Sequence, residues 1–246
     1  MALRAAAFEL AYDSFRHAVA LDGHNTDAYS GASDAAAGSH RSAEERTWLM
    51  SLAAADPSNV QVRVELSKVL ADSGDNQAAI SAAIEAVRLG PSDPRPLEQL
   101  GSIFADIGDA DRLEPLAEQL VSRFPDRKEG FYYRAMAQSL RSRSATALDD
   151  AREFTSRFPD YAPAQNLLGT LLAQTGQEES ARAAFETSLR LNPRDPSTYI
   201  SLGVLYLHLN KPHQAMDNFA QAWALDQSSA EAAAGFHEAQ EALKKE

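Results

Sequence analysis

The stretch Ser-Arg-Phe-Pro-Asp stands at residues 122–126 and returns, letter for letter, at residues 156–160. The two copies are 34 residues apart. A five-residue match decides little by itself, but the prolines repeat the offset. Pro57, Pro91, Pro125, Pro159 and Pro193 follow one another at 34-residue steps, which places five of the chain's 11 prolines on one series. A fixed period of this length marks a repeat architecture, in which one supersecondary unit is written several times.

Counting each repeat from 31 residues before its proline position gives starts at Thr26, Val60, Pro94, Lys128, Ala162 and Pro196. In the sixth repeat, Tyr199, Leu202, Gly203 and Tyr206 recur at the spacing of one helical face, and Ala215, Phe219 and Ala222 do the same for a second helix. The fifth repeat offers Leu168, Gly169, Leu172, Ala181 and Phe185 in the same places. Small residues at positions 8 and 20 let two such helices approach closely. Between them, position 15 holds Gly74, Gly108, Gly176 or Asn210, residues that tolerate the left-handed backbone ending a helix. The proline then stops the second helix, because it donates no backbone N–H and disfavours helical geometry before it. In the quoted stretch, Arg-Phe therefore closes a second helix with the ring folded back, Pro ends it, and Asp opens the turn to the next repeat.

This pattern resembles the tetratricopeptide repeat family, W-x2-L-G-x2-Y, then A-x3-F, then P, in 34 residues. The resemblance runs from Thr26 to the end of the sixth repeat without insertion. It implies an all-α fold, an elongated right-handed α-solenoid of tandem 34-residue helix-turn-helix repeats. The expected organisation is an N-terminal half-repeat at residues 1–25, with Ala11, Phe15 and Ala18 in phase, six repeats over residues 26–229, and a C-terminal capping helix at residues 230–246. That last helix is polar on one side, as the exposed end of a repeat array requires, and Lys244 and Lys245 suit its C-terminal dipole. The phase leaves no room for a linker. A start in mid-repeat suggests a piece of a longer protein or an atypical cap. Two repeats depart from the pattern. The first has Ser33 and Ala36 in its first helix and Glu45 where a small residue is expected. The fourth has Arg134 and Gln138 at apolar positions, with Phe131, Tyr132 and Tyr133 shifted alongside, so local repacking is expected there.

Composition removes several functions. The net charge of -12 and pI near 4.9 argue against nucleic acid as partner, since phosphate binding needs a basic face. With no cysteine there is no disulfide, thiolate catalysis or cysteine-held metal. No apolar run approaches the ~18 residues of a membrane span, and the N-terminus lacks an export signal, so the chain reads as soluble and cytoplasmic by default. There is no glycine-rich phosphate loop, H-E-x-x-H or G-x-S-x-G. His208 and His213 flank one turn, but two histidines without carboxylate support make a poor metal site. Carboxylates fall almost entirely on expected solvent faces, Asp149 and Asp150 among them. No catalytic residue, metal or cofactor is expected.

What remains is surface. Positions 2, 5, 9 and 12 of each first helix share a face, which the resemblance implies lines a concave groove for extended peptides or partner helices. In repeats one to three this face is polar (Asp27, Ser30, Asp34, Gln61, Lys68, Arg95, Glu98, Ser102). In repeats four to six it carries Tyr132, Met136, Asn166, Thr170, Ile200 and Val204, with Tyr133 beside Tyr132. Coverage of Ile200 and Val204 by the final helix is the structural alternative. The carboxylate clamp known in the family needs Lys at position 5 and Asn at position 9, and no repeat has either. Residues 123–157 hold eight basic residues against five acidic ones, so Arg134, Arg141 and Arg143 could steer an acidic partner. The expected function is a non-catalytic protein-interaction scaffold binding a peptide or helix in this groove. The alternatives are the accessory region of a larger enzyme, such as a glycosyltransferase or sulfatase, and a self-assembling module that would form a homo-oligomer.

Overall fold

Two helices can pack antiparallel only if the chain reverses between them in a few residues, and within each repeat it does so through one left-handed residue. That residue is His40 (φ 60°), Gly74 (81°), Gly108 (71°), Ser142 (58°), Gly176 (73°) or Asn210 (53°), at 34-residue steps. Four of these six are the glycines and asparagine of position 15. His40 and Ser142 adopt the same conformation with a Cβ in place, at a cost of roughly 1–2 kcal/mol each.

The computed structural model describes residues 2–244; Lys245 lies outside the described residues. They form α1 (Ala2–Leu21), α2 (Thr26–Gly38), α3 (Ser42–Ala55), α4 (Val60–Asp72), α5 (Asn76–Leu89), α6 (Arg95–Asp106), α7 (Ala110–Arg123), α8 (Lys128–Leu140), α9 (Ser144–Arg157), α10 (Ala162–Gln174), α11 (Glu178–Leu191), α12 (Pro196–His208), α13 (Pro212–Leu225) and α14 (Ala230–Leu243). There is no strand among the described residues. The fold is an all-α solenoid of tandem helix-turn-helix repeats.

Helix starts are built from short polar side chains. Asn25, Asn59, Asp195 and Ser229 accept hydrogen bonds from the first-turn N–H groups of α2, α4, α12 and α14, and Asp75 and Asp109 do so for α5 and α7. Each such cap contributes about 1 kcal/mol. Helix ends answer the repeated pentapeptide. The Phe158 N–H donates to the Phe154 carbonyl, and the Phe158 ring folds back edge-on, 5.5 Å from the Phe131 ring and 5.7 Å from that of Phe154.

The chain divides into two compact units, residues 1–124 and 125–246, and the division falls inside the first copy of the pentapeptide. No linker marks it: α7 ends at Arg123 and α8 begins at Lys128, on schedule. In the N-terminal unit each helix packs on the next, and the first helices α2, α4 and α6 also touch in series. Its core includes Tyr12, Tyr29, Leu49, Ile103 and Leu113. In the C-terminal unit α8, α10, α12 and α14 touch in series, over a core that buries Phe131, Phe154, Phe185 and Phe219. Each unit therefore presents a continuous face of first helices.

The fourth repeat keeps its hairpin by ionic repacking. The Arg134 side chain is only 13% exposed, and it pairs with Asp150 at 3.0 Å and with Glu153, both on α9. Gln138, 6% exposed, accepts a hydrogen bond from Arg143 Nη1 at 3.2 Å. No helix among the described residues is long and apolar enough to cross a membrane.

Candidate functional site

The first-helix face of the C-terminal unit carries Tyr132 and Met136 on α8, Asn166 and Thr170 on α10, and Ile200 and Val204 on α12. Three of these converge. Thr170, Ile200 and Val204 line a pocket of about 330 Å³ whose other walls include Phe185, Gln174, His208 and Glu231 of α14. The final helix does not close it. Ile200 is half-buried against the cluster of Ala215, Phe219 and Ala239, while Val204 remains 41% exposed. An exposed valine beside a half-buried isoleucine gives this pocket an apolar wall that water still wets.

Beside it, the Thr170 hydroxyl donates to the Asn166 carbonyl at 3.1 Å, so its proton is occupied and its lone pairs remain. Asn166 Oδ1 is buried with no hydrogen-bond partner. A buried acceptor left unmatched costs about 1–3 kcal/mol.

Tyr132 belongs to a different surface. It lines a pocket of about 230 Å³ with Tyr133, Tyr161, Pro163, Lys128 and Glu129. Its ring lies edge-on to Tyr133 at 5.6 Å and to Phe154 at 6.5 Å. Lys128 Nζ sits 4.1 Å from the Tyr161 ring centroid, and burial raises the Tyr161 phenol above its usual range. The Tyr132–Met136 half of the expected face and the Thr170–Ile200–Val204 half thus do not share one pocket.

Two sequence expectations need correcting. Tyr133 is a core residue, 8% exposed, because the extra aromatic positions of α8 turn it inward against the hairpin. Arg134 does not stand ready to steer a partner, because its guanidinium is held between Asp150 and Glu153 and lies 5.4 Å from the Phe131 ring centroid. Of the other two arginines, Arg143 is exposed and reaches back to Gln138, and Arg141 is half-buried at the end of α8. His208 lines the larger pocket, and His213 is exposed on α13. Among the described residues no group of three or more histidine or carboxylate side chains is disposed to hold a metal ion.

Two carboxylates of the N-terminal unit are exceptions to the solvent-facing rule: Glu45 is 0% exposed and Glu65 is 1% exposed. Glu45 was visible as an oddity at a small-residue position. Its counterpart at position 8 is Ser33, whose hydroxyl donates to Glu45 Oε1 at 3.2 Å, so the two close-approach positions are matched polar to polar. Burial pushes both carboxyls above the usual glutamate range.

Comparison with known proteins bears on the repeat and the fold. Two tetratricopeptide repeat models match, over residues 141–196 and 184–217. Tetratricopeptide repeat protein 21A of Mus musculus is 22% identical over 145 residues, which is 58% of this chain and 11% of that protein. The chain thus spans about a tenth of that relative's length. A thermophilic TPR protein of Thermus thermophilus superposes with a TM-score of 0.69 at 22% identity, over 74% of this chain and 98% of its own. A tetratricopeptide repeat protein of Parabacteroides merdae superposes with a TM-score of 0.78 at 12% identity, over 95% of this chain and 92% of its own. In its repeat pattern, in the two models matched over residues 141–217 and in its fold, the chain is similar to tetratricopeptide repeat proteins.

Proposed function

We propose that the chain is a non-catalytic protein-interaction scaffold that receives a partner segment on the first-helix face of its C-terminal unit. The family generally serves as scaffolds for other proteins, and the fold agrees with that role. The observation that carries the location is the pocket shared by Thr170, Ile200 and Val204 on two successive first helices. Its occupant is an aliphatic side chain of an extended peptide or a single helix. Phe185 and Leu205 supply apolar floor, and His208, Gln174 and Glu231 supply a polar rim. Interfaces concentrate their affinity in a few such half-buried anchors ringed by polar groups.

The test is selection of peptides from a random phage library on the whole chain, followed by mapping the strongest one through amide chemical-shift changes. A footprint on Thr170, Ile200, Val204 and the adjoining turns of α10 and α12 supports the reading. A footprint confined to the second helices α9, α11 and α13 overturns it.

A further inference from the structure

The repeat phase runs past both ends of the six repeats. Helix α14 begins at Ala230, 34 residues after α12 begins at Pro196, so it takes the place of a first helix. Helix α1 ends at Leu21, 34 residues before α3 ends at Ala55, so it takes the place of a second helix. Within residues 1–246 each stands without the other half of its repeat. The difference shows in the packing. Phe219 of α13 lies on Gly235 of the following first helix and on Gly203 of its own. Phe15 of α1 lies on Gly31 of the following first helix and has no first helix of its own to meet.

The register between neighbouring second helices is read from α1 and α3. Arg16 pairs with Glu44 at 2.7 Å, which sets position 25 of one repeat against position 19 of the next. Val19 shares a cavity wall with Trp48, which sets position 28 near position 23. Carried past α13, the same register sets Ala220 against Leu10 and Trp223 against Ser14 of a second copy. Both pairs match. Position 19 is polar or alanine in all six repeats, from Glu44 to Gln214, and leucine only at Leu10, which is 71% exposed. Ala220 opposite it is small and uncharged, where repeats three to five carry Glu118, Arg152 and Glu186. Trp223 is 50% exposed, and the pairing of small Val19 with large Trp48 returns reversed, as large Trp223 with small Ser14. Covering an exposed leucine and tryptophan removes apolar surface from water, which drives association.

We propose that copies of this chain associate head to tail, with α1 of one copy docking as the second helix behind α14 of another and completing a seventh repeat across the two chains. This surface does not rest on the assignment of the pocket at Thr170, Ile200 and Val204. Phe15 then faces position 8 of α14, which is His237 where repeats five and six have Gly169 and Gly203. The larger side chain holds the two helices farther apart, so the association is weaker than the packing inside one chain. A contact that joins two unlike faces leaves one of each free on every pair, so it extends from copy to copy.

Sedimentation velocity of the whole chain, from about 1 μM to about 1 mM, reads the association. The expected result is an average mass that rises above 26.7 kDa, with a Kd of about 10–100 μM. Leu10→Glu and Ala220→Glu should each weaken self-association at least ~10-fold. Both should fold as the parent does, because glutamate already stands at these two positions as Glu44 and as Glu118 and Glu186, and circular dichroism checks this. Each variant spoils one end only, so an equimolar mixture of the two should recover one-to-one dimers with the parent's affinity. A chain that stays monomeric throughout, self-association that either variant leaves intact, or a mixture in which the two variants do not pair overturns the proposal.

Discussion

Phe219 on α13 packs so closely on Gly203 of α12 that a Cβ built on Gly203 would stand 2.7 Å from the ring atom Cζ. The same ring meets Gly235 of α14, where a Cβ would stand 2.3 Å from Cε1. One aromatic side chain thus sets the spacing of three helices. Gly203→Ala should destabilise the C-terminal unit by about 1–3 kcal/mol through overpacking, and Phe219→Ala by about 3–5 kcal/mol through the cavity it leaves. Denaturant unfolding of the two variants checks this. Pairing Gly203→Ala with Phe219→Leu should recover part of the loss, whereas simple additivity would mean the two residues do not share the constraint.

Ser142 holds a left-handed conformation (φ 58°) that glycine holds at Gly74, Gly108 and Gly176. Ser142→Gly should therefore stabilise the chain, by up to about 1 kcal/mol once the added flexibility of the unfolded chain is subtracted. Gly108→Ala should destabilise it by roughly 1–2 kcal/mol. Thermal midpoints moving in the same direction for both variants would contradict this account of the turn.

Arg134 is bound within its own hairpin, and that predicts a separation of effects. Arg134→Met should lower stability by about 1–3 kcal/mol, because it removes a half-buried guanidinium that pairs with Asp150 at 3.0 Å and with Glu153 across the hairpin. A steering residue would instead leave stability unchanged and slow association in a salt-dependent way. Stopped-flow association at two ionic strengths, set beside denaturant unfolding, separates the two.

Glu45 and Glu65 carry carboxyl groups raised chiefly by burial. The folded chain therefore keeps protons that the unfolded chain releases at ordinary glutamate pH. Their stabilising contribution is complete at low pH and is lost as pH climbs from that range through the raised folded values. Glu45→Gln should flatten this decline, gaining thermal stability relative to the parent at about pH 8 and less at about pH 4. Parallel pH profiles of the melting temperature for parent and variant would show that Glu45 does not titrate in this way.

The repeats were legible because they depend on periodicity. The first helices α2, α4, α8, α10 and α12 begin on one series of 34-residue steps, and α6 begins at Arg95, one residue late. What sequence could not supply came from contacts across helices. Arg134 meets Asp150 and Glu153, residues 16 and 19 further along, only when α8 and α9 lie in one register. Tyr133 turned inward for the same reason. His40 and Ser142 take the left-handed conformation because packed helices on both sides impose the turn, overriding local preference. Glu45 stood out at its position, but its burial against Ser33 needs α2 in place. The division at Phe124 and Pro125 left no mark, since the phase runs through it unchanged.

The most direct test of the proposed interaction surface pairs affinity with stability for Val204→Asp and Phe219→Ala, using a peptide selected on the parent chain. Val204 is exposed at the pocket, whereas Phe219 is 1% exposed in the core. Val204→Asp should weaken the peptide at least ~10-fold, about 1.4 kcal/mol, with the melting temperature unchanged. Phe219→Ala should lower the melting temperature sharply. Undiminished binding to a folded Val204→Asp chain would contradict the assignment of this surface.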